Sequence, residues 1–120
     1  MRVCVPTAGS GGLDDQVGDH FGRVPTYTIY DTESGAVDVL DNQSEHMGGA
    51  GLPAHHLAAA GVDVVLCAAL GRRAISLLEE AGIDVYTGAV GTAREAVEAW
   101  EAGRLPDAAP CTRRTFHDHR

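Results

Sequence analysis

The sequence predicts an α/β fold, with one five-stranded mixed sheet flanked by helices. Three observations predict it. Two apolar, β-branched runs, at residues 2–6 and 62–68, are typical of strands covered on both faces. Between these runs, residues 24–42 contain two strand-like segments joined by a short turn. After residue 62, strand patterns alternate with helical ones, which is typical of a sheet covered by helices.

The first third of the chain is predicted to add an antiparallel hairpin to a central strand. Residues 2–6 (RVCVP) form the first strand, which Pro6 ends, and residues 7–22 form a long, glycine-spaced loop. Residues 24–31 are rich in aromatic and β-branched side chains, and residues 36–42 alternate apolar with polar ones. The short turn between them favours a hairpin. We expect the strand after the long loop to run antiparallel to its neighbours.

The rest of the chain is predicted to alternate helices with strands. The elements are a helix at residues 52–60, a strand at 62–68, a helix after Gly71, a strand at 83–86 and a helix at 92–102. Thr92 and Glu95 have the spacing of a capping box at the start of the last helix. Arg94 and Glu98 are predicted to pair on its outer face.

Composition indicates one domain at residues 1–105, followed by a flexible tail at residues 106–120. The 120 residues are 44% hydrophobic and 22% charged, enough to bury a core. The net charge of −8 argues against nucleic acid or an anionic membrane as partner. The sequence shows no apolar run of membrane length and no secretory signal. We therefore expect a cytoplasmic protein that is a monomer or a weak homodimer.

The first candidate site lies in residues 16–23, QVGDHFGR. His20 lies between an acid and Phe21, and Gly18 and Gly22 on either side let the backbone approach a ligand closely. Imidazole is a borderline ligand for iron, zinc or copper. The alternative is a mobile surface loop in which Phe21 enters the core and His20 faces water. The residues alone slightly favour this alternative.

A second glycine-rich loop, at residues 43–51, carries further histidines. His46 precedes its glycines, and His55 and His56 lie in the helix that follows. Adjacent helical residues point about 100° apart, so this pair cannot easily chelate one ion. The histidines also lack the i,i+4 spacing of a helical zinc site. Solvated side chains are the stronger interpretation here.

The cysteines are also weak candidates. Cys111 lies in the tail with His117 and His119, and a flexible tail must be ordered before it binds a metal. Cys4 and Cys67 lie in predicted inner strands, where buried cysteine behaves as a small apolar residue. We expect free thiols rather than a metal site.

Several segments together resemble the dinitrogenase iron–molybdenum cofactor biosynthesis family, the NifX/NafY-like group. The segments are RVCVPTAG, GDHFGR, GGAG, GVDVVLC, AGIDVYTG and GTAREAVEAWEAGRL, in that order between Met1 and Leu105. The chain is similar to the short, stand-alone members of the family. The resemblance implies a ribonuclease H-like three-layer fold with the five-stranded mixed sheet already predicted from the residues.

The resemblance also implies binding without catalysis. Nitrogenase-associated members bind and carry iron–sulfur precursors of the iron–molybdenum cofactor, so donor and acceptor proteins for a metallocluster are the implied partners. His20 is the implied cluster ligand, and we predict His46 as a possible second metal ligand. The predicted cofactor-binding residues are His20, Phe21, Gly22, Gly48, Gly49 and Gly51.

A regulatory module that binds a small molecule or an anion is the alternative function. Residues 88–92 (GAVGT) open the last helix, where backbone N–H groups can hold a phosphate, and Arg94 follows. A tight turn with a helix cap is the better interpretation of this segment. A hydrolase is disfavoured because the sequence shows no nucleophile–base pair and no convincing carboxylate cluster.

Overall fold

The computed structural model describes residues 1–19, 21, 23–42 and 52–106, with the backbone alone at residues 52–55. In chain order its elements are β1 (Arg2–Thr7), β2 (Thr26–Asp31), β3 (Val37–Asp41), α1 (Leu52–Ala59), β4 (Val64–Leu66), α2 (Arg72–Glu80), β5 (Asp84–Tyr86) and α3 (Ala93–Glu101). Among these helices, none is long and apolar enough to cross a bilayer. The predicted tail from residue 107 onward lies outside the described residues.

The strands form one mixed sheet in the order β3-β2-β1-β4-β5. β2 runs antiparallel to both of its neighbours, β1 and β3. β4 runs parallel to β1, and β5 runs parallel to β4. This confirms the predicted five-stranded mixed sheet, the central position of the first strand and the antiparallel hairpin.

Helices cover the sheet on both faces, which gives three layers. On one face, Leu57 of α1 and Leu78 of α2 join a buried cluster with alternate residues of the strands. The strand residues of this cluster are Cys4, Tyr27, Ile29, Val65 and Val85. On the other face, α3 packs on the remaining strand residues. This second cluster contains Val3, Val5, Val64, Leu66, Ala89, Ala93, Ala96 and Val97. The alternation follows from the two-residue period of strands.

Each of the five strands differs from its predicted bounds at one or both ends. β1 continues through Pro6 to Thr7, because the Pro6 carbonyl accepts a hydrogen bond from Gly18 at an edge beyond the last β1–β4 pair. β2 begins at Thr26 rather than at residue 24. β4 spans Val64–Leu66 rather than residues 62–68. Val62, two residues before β4, donates its N–H to the carbonyl of Leu57, and this hydrogen bond closes the end of α1.

The start of α3 confirms the predicted capping box. The Thr92 hydroxyl accepts from the N–H of Glu95 at 3.1 Å, and the Glu95 carboxylate accepts from the N–H of Thr92 at 2.9 Å. The predicted pairing of Arg94 with Glu98 is wrong. The Arg94 guanidinium instead contacts the Asp14 carboxylate at 3.2 Å, because the loop after β1 folds against this helix.

We expect Thr92→Ala to lower the free energy of unfolding by about 1 kcal/mol, since it removes the side chain that caps α3. Thr92→Ser, which keeps the hydroxyl, is the matched control and should stay near the wild type. Urea unfolding followed by circular dichroism measures both variants. Equal losses in the two variants would show that the hydroxyl is not the stabilising group.

Candidate functional site

Described residues that flank the predicted site segments lie at one end of the sheet. This end, the site end below, carries the carboxyl ends of β1, β4 and β5 and the start of β2. The N–H of Gly18 donates to the Pro6 carbonyl at 2.9 Å, which places the residues before position 20 there. Asn42 follows β3 and donates to the carbonyls of Pro25 and Val24 at 3.0 and 2.8 Å. The described residues next to both predicted loops therefore lie close to this end.

The direction of α1 is consistent with this placement. Its last turn lies at the opposite end of the sheet, because the Arg2 side chain donates to the carbonyl of Ala60 at 3.0 Å. The eight residues of α1 extend about 12 Å at the normal helical rise. Its first residue, Leu52, follows the glycine-rich loop and lies one helix length from that opposite end.

Most of the predicted ligands lie outside the described residues. They are His20, Gly22, His46, Gly48, Gly49 and Gly51. Their roles stay predictions. The structure does describe many of the residues that would hold them in place.

Phe21 is the predicted site residue whose position is described. Its side chain is 7% exposed and belongs to the cluster under α1 and α2. Its ring lies 5.3 Å from the ring of Tyr27, centroid to centroid. The hydroxyl of Tyr27 donates to the Phe21 carbonyl at 2.6 Å. This confirms the alternative expectation that Phe21 enters the core, and its ring anchors the segment rather than facing solvent.

The chain changes faces of the sheet between Val17 and Phe21. Val17 packs against the cluster on the α3 face, whereas Phe21 belongs to the cluster on the other face. Gly18, between them, lies beside Thr7 and Val24, and a side chain there would collide with Val24. The segment is thus fixed on both faces of the sheet.

Three buried threonines attach the loop after β1 to the sheet. The hydroxyl of Thr7 lies 2.6 Å from that of Thr26 and 3.2 Å from that of Thr28. Thr26 donates to the carbonyl of Gly9 at 2.8 Å, and Thr28 accepts from the N–H of Gly12 at 2.9 Å. Buried hydroxyls are costly unless they are hydrogen-bonded. The network therefore fixes the loop over the start of β2.

Asp15 organises the same loop from within. Its carboxylate accepts hydrogen bonds from the backbone N–H groups of Gly9, Gly11 and Gln16, each at 2.8 Å. Partial desolvation opposes ionisation, but the donors of Gly11, Gln16 and Gly9 outweigh it and hold the pKa of Asp15 below its ordinary value. The carboxylate is therefore ionised at neutral pH.

The start of α3 has no free amide for an anion. The N–H of Ala93 donates to the Asp15 carbonyl at 2.9 Å, and the N–H of Arg94 to the Leu13 carbonyl at 2.8 Å. The N–H groups of Thr92 and Glu95 serve the capping box. An anion at this turn would have to displace these partners. The geometry therefore does not favour the anion site considered at residues 88–92.

The start of α2 is different, and it lies at the site end after β4. Gly71 occupies the N-cap position, and no side chain caps the helix. Arg72 and Arg73 form its first turn, and both are exposed. Arg23, two residues after Phe21, is also exposed. The positive end of the helix dipole and these guanidinium groups favour an anion here.

The two thiols of the folded body are not available as ligands. Cys4 and Cys67 are free and buried, with 0% and 1% of their surface exposed. Burial raises the pKa of the Cys67 thiol to about 12. Burial also raises the pKa of the Cys4 thiol, and the nearby Cys67 raises it further. In the described part of the chain, no group of three or more metal-binding side chains comes together.

The residues that build the loop after β1 were not predicted. They are Thr7, Asp15, Thr26 and Thr28. Alternate threonines in the TYT segment were a usable signal, because side chains two apart in a strand share a face. The adjacent residues Asp14 and Asp15 gave no such signal. Only the contacts in the folded chain show that the Asp14 carboxylate is exposed and the Asp15 carboxylate is enclosed.

Comparison with known proteins identifies relatives of the chain. Residues 1–103 match the family model described as dinitrogenase iron-molybdenum cofactor. An uncharacterised protein of Methanocaldococcus jannaschii is 27% identical over 110 residues, which cover 88% of this chain and 89% of that protein. The family match ends just before the predicted tail.

Two solved structures are similar in both sequence and fold. The apo form of the orange protein from Desulfovibrio gigas is 33% identical, with a TM-score of 0.82 over 90% of this chain and 92% of that one. A NifB-like protein of the DUF35 family from Thermotoga is 37% identical, with a TM-score of 0.75 over 88% of this chain and 91% of that one.

We expect Tyr27→Phe to lower the free energy of unfolding by about 1–3 kcal/mol, because it leaves the buried Phe21 carbonyl without its donor. Tyr30→Phe, at a half-buried position of the same strand, is the matched control and should change little. Urea unfolding followed by fluorescence measures both. Equal stability of the two variants would contradict the anchoring role of Tyr27.

We expect the Asp15 carboxylate to stabilise the fold at neutral pH and to lose this effect in acid. Its folded pKa lies below the unfolded value of about 3.9, so the stabilisation is present above that value and is lost as pH falls through the folded pKa. The difference in unfolding free energy between the wild type and Asp15→Asn should therefore shrink below about pH 4. Asp14→Asn, which removes a carboxylate that is 91% exposed, is the matched control and should change the unfolding free energy little at neutral pH.

Proposed function

Because this chain belongs to the dinitrogenase iron–molybdenum cofactor family, we propose that it is a non-enzymatic carrier of an iron–sulfur type metallocluster. The cargo is an iron–molybdenum cofactor precursor or a related cluster. It is received from a donor protein and passed to an acceptor in the cytoplasm. The chain acts as a monomer or a weak homodimer, without nucleic acid or membrane as partner. The three layers and strand order suit the ribonuclease H-like label that the resemblance implies.

The observation that carries this proposal is that described residues next to both glycine-rich loops lie at the site end. Gly18 and Phe21 flank the first loop's histidine, and Asn42 and Leu52 flank the second loop. Ligands of α/β proteins bind in the crevice outside the carboxyl ends of the strands, where loops from neighbouring strands meet. Ligands from both loops can therefore act on one cargo.

The uncapped start of α2 supports an anionic cargo. The exposed Arg72 and Arg73 lie in its first turn, with no side chain capping the helix. Sulfide-bridged clusters carry negative charge, which helix N-termini and guanidinium groups stabilise. The chain has a net charge of −8, so these two arginines supply a local positive charge in an acidic protein.

The ligands are assigned to the histidines rather than to the thiols. His20 supplies an imidazole to iron, and His46 is the second ligand. The backbone of Gly22, Gly48, Gly49 and Gly51 donates N–H groups to cluster sulfides, and Phe21 holds the first loop in place from the core. Two replaceable bonds suit a carrier, because a full set of thiolates would bind the cluster too firmly to release it.

A regulatory module that binds an anion at α3 has less support. Each of the first N–H groups of that helix already donates to an acceptor within the chain. A thermal-shift screen against nucleotides and phosphates tests this alternative directly. A large shift with a nucleotide and none with an iron-loaded sample would favour it over the carrier.

We expect His20→Ala to weaken iron retention after anaerobic reconstitution with iron and sulfide by at least about tenfold. Removing a group that only hydrogen-bonds to a metal ligand already lowers metal affinity about tenfold or more, and His20 is the proposed ligand itself. Absorbance and metal analysis after gel filtration measure retention. His56→Gln is the matched control, because this histidine lies in the last turn of α1, away from the site end. Equal iron retention in wild type and His20→Ala would remove His20 from the mechanism.

A further inference from the structure

The loop after β1 encloses a carboxylate in backbone amides. Oδ2 of Asp15 accepts from the N–H groups of Gly9 and Gly11, and Oδ1 accepts from that of Gln16, all at 2.8 Å. A side chain at Gly9 would place its first carbon 3.0 Å from Oδ1. Gly11 has a φ of +92°, which favours glycine. The backbone is thus shaped closely around the carboxylate.

We propose that these amides form an anion seat that Asp15 occupies from within the chain, and that this occupation positions the loop for cargo binding. The seat consists of the N–H groups of Gly9, Gly11 and Gln16. The first part of the proposal stands on these contacts alone. The second part rests on the proposed carrier function and makes Asp15 a positioning residue.

An ionised group is what this seat requires. Three convergent N–H donors need several lone pairs, and a carboxylate offers them on two oxygens. Hydrogen bonds to a charged acceptor are stronger than neutral ones. The neighbouring Asp14 does not share the role, because its carboxylate is exposed and contacts Arg94. The other groups fixing this loop, Thr26 and Thr28, are neutral hydroxyls.

The seat is connected to the site end through the main chain of the same segment. The carbonyl of Asp15 accepts from the N–H of Ala93, which fixes the loop on α3. Directly after it, the carbonyl of Gln16 accepts from Ala8, and Gly18 donates to Pro6. The carboxylate therefore holds the chain in place two residues before it begins to cross the end of the sheet.

Chemical rescue tests the seat in the full-length protein. In Asp15→Ala, hydrogen exchange of the Gly9, Gly11 and Gln16 amides should accelerate about tenfold or more, measured by NMR. Sodium formate should restore their protection and chemical shifts, because formate supplies the missing carboxylate, whereas sodium chloride at equal ionic strength should not. Asp14→Asn is the matched control and should leave these amides unchanged. Asp15→Gly, which also leaves the space of the carboxylate empty for formate, replaces Asp15→Ala if the latter does not fold.

The cargo measurement is separate. Iron retention after reconstitution should fall about tenfold in Asp15→Ala and recover with formate, while Asp14→Asn retains the wild-type level. Unchanged amide exchange in Asp15→Ala, or equal effects of formate and chloride, would overturn the seat. Normal iron retention in a variant whose amides are exposed would overturn the positioning role. If the wild type itself binds no cluster, the carrier function and positioning role fail together, and the amide data still decide the seat.

Discussion

The last residues of β1 extend beyond their parallel neighbour and need hydrogen-bond partners of their own. β1 pairs with β4 only at Val3 and Cys4. Past this point, the Pro6 carbonyl accepts from Gly18 and the N–H of Ala8 donates to Gln16, both at 2.9 Å. Because buried peptide groups are rarely left unpaired, the loop has to return to the sheet along this edge. The position of the residues before the predicted ligand follows from that constraint.

The same returning segment joins the two faces of the sheet. The N–H of Val17 donates to the carbonyl of Gly91 at 2.8 Å, which ties the segment to the turn before α3. Four positions later, Phe21 lies in the opposite cluster, where the hydroxyl of Tyr27 binds its carbonyl. A displacement of this segment would therefore disturb both clusters. The loop is long, but its described contacts give it the character of a packed element.

Local patterns predicted the elements, and contacts distant in sequence explain what was missed. The capping box of Thr92 lies within one helical turn, so its spacing revealed it. The hydroxyls of Thr7 and Thr26 meet across 19 positions, and Arg94 meets Asp14 across 80. The contact between Arg94 and Asp14 also explains why the expected pairing with Glu98 was wrong. Glu98 is a neighbour on the same helix, whereas Asp14 comes from the loop that folds against it. Periodicity carries no information on which loop returns to which strand.

The candidate site was predictable only in its chemistry. A histidine between glycines indicates a ligand, but the placement of the residues around it depends on Phe21 entering the core and on Gly18 lying beside Pro6. The only sequence signals for these contacts are the aromatic side chain of Phe21 and the missing side chain of Gly18. The role of His20 itself stays a prediction, because it lies outside the described residues.

Charge and thiol placement together favour reversible binding of an anionic cluster. Fields from exposed charges decay over about 8 Å at physiological salt, so the arginines at the start of α2 matter more to a cargo there than the net charge of −8. The buried Cys4 and Cys67 hold their protons, since burial raises the pKa of both thiols, and cannot exchange into a cluster. Under the proposed function, a cargo at this end would thus be attracted by local charge and bound by few neutral donors, and the two described thiols would not capture it. That combination is the one a protein needs if it must give its cluster up.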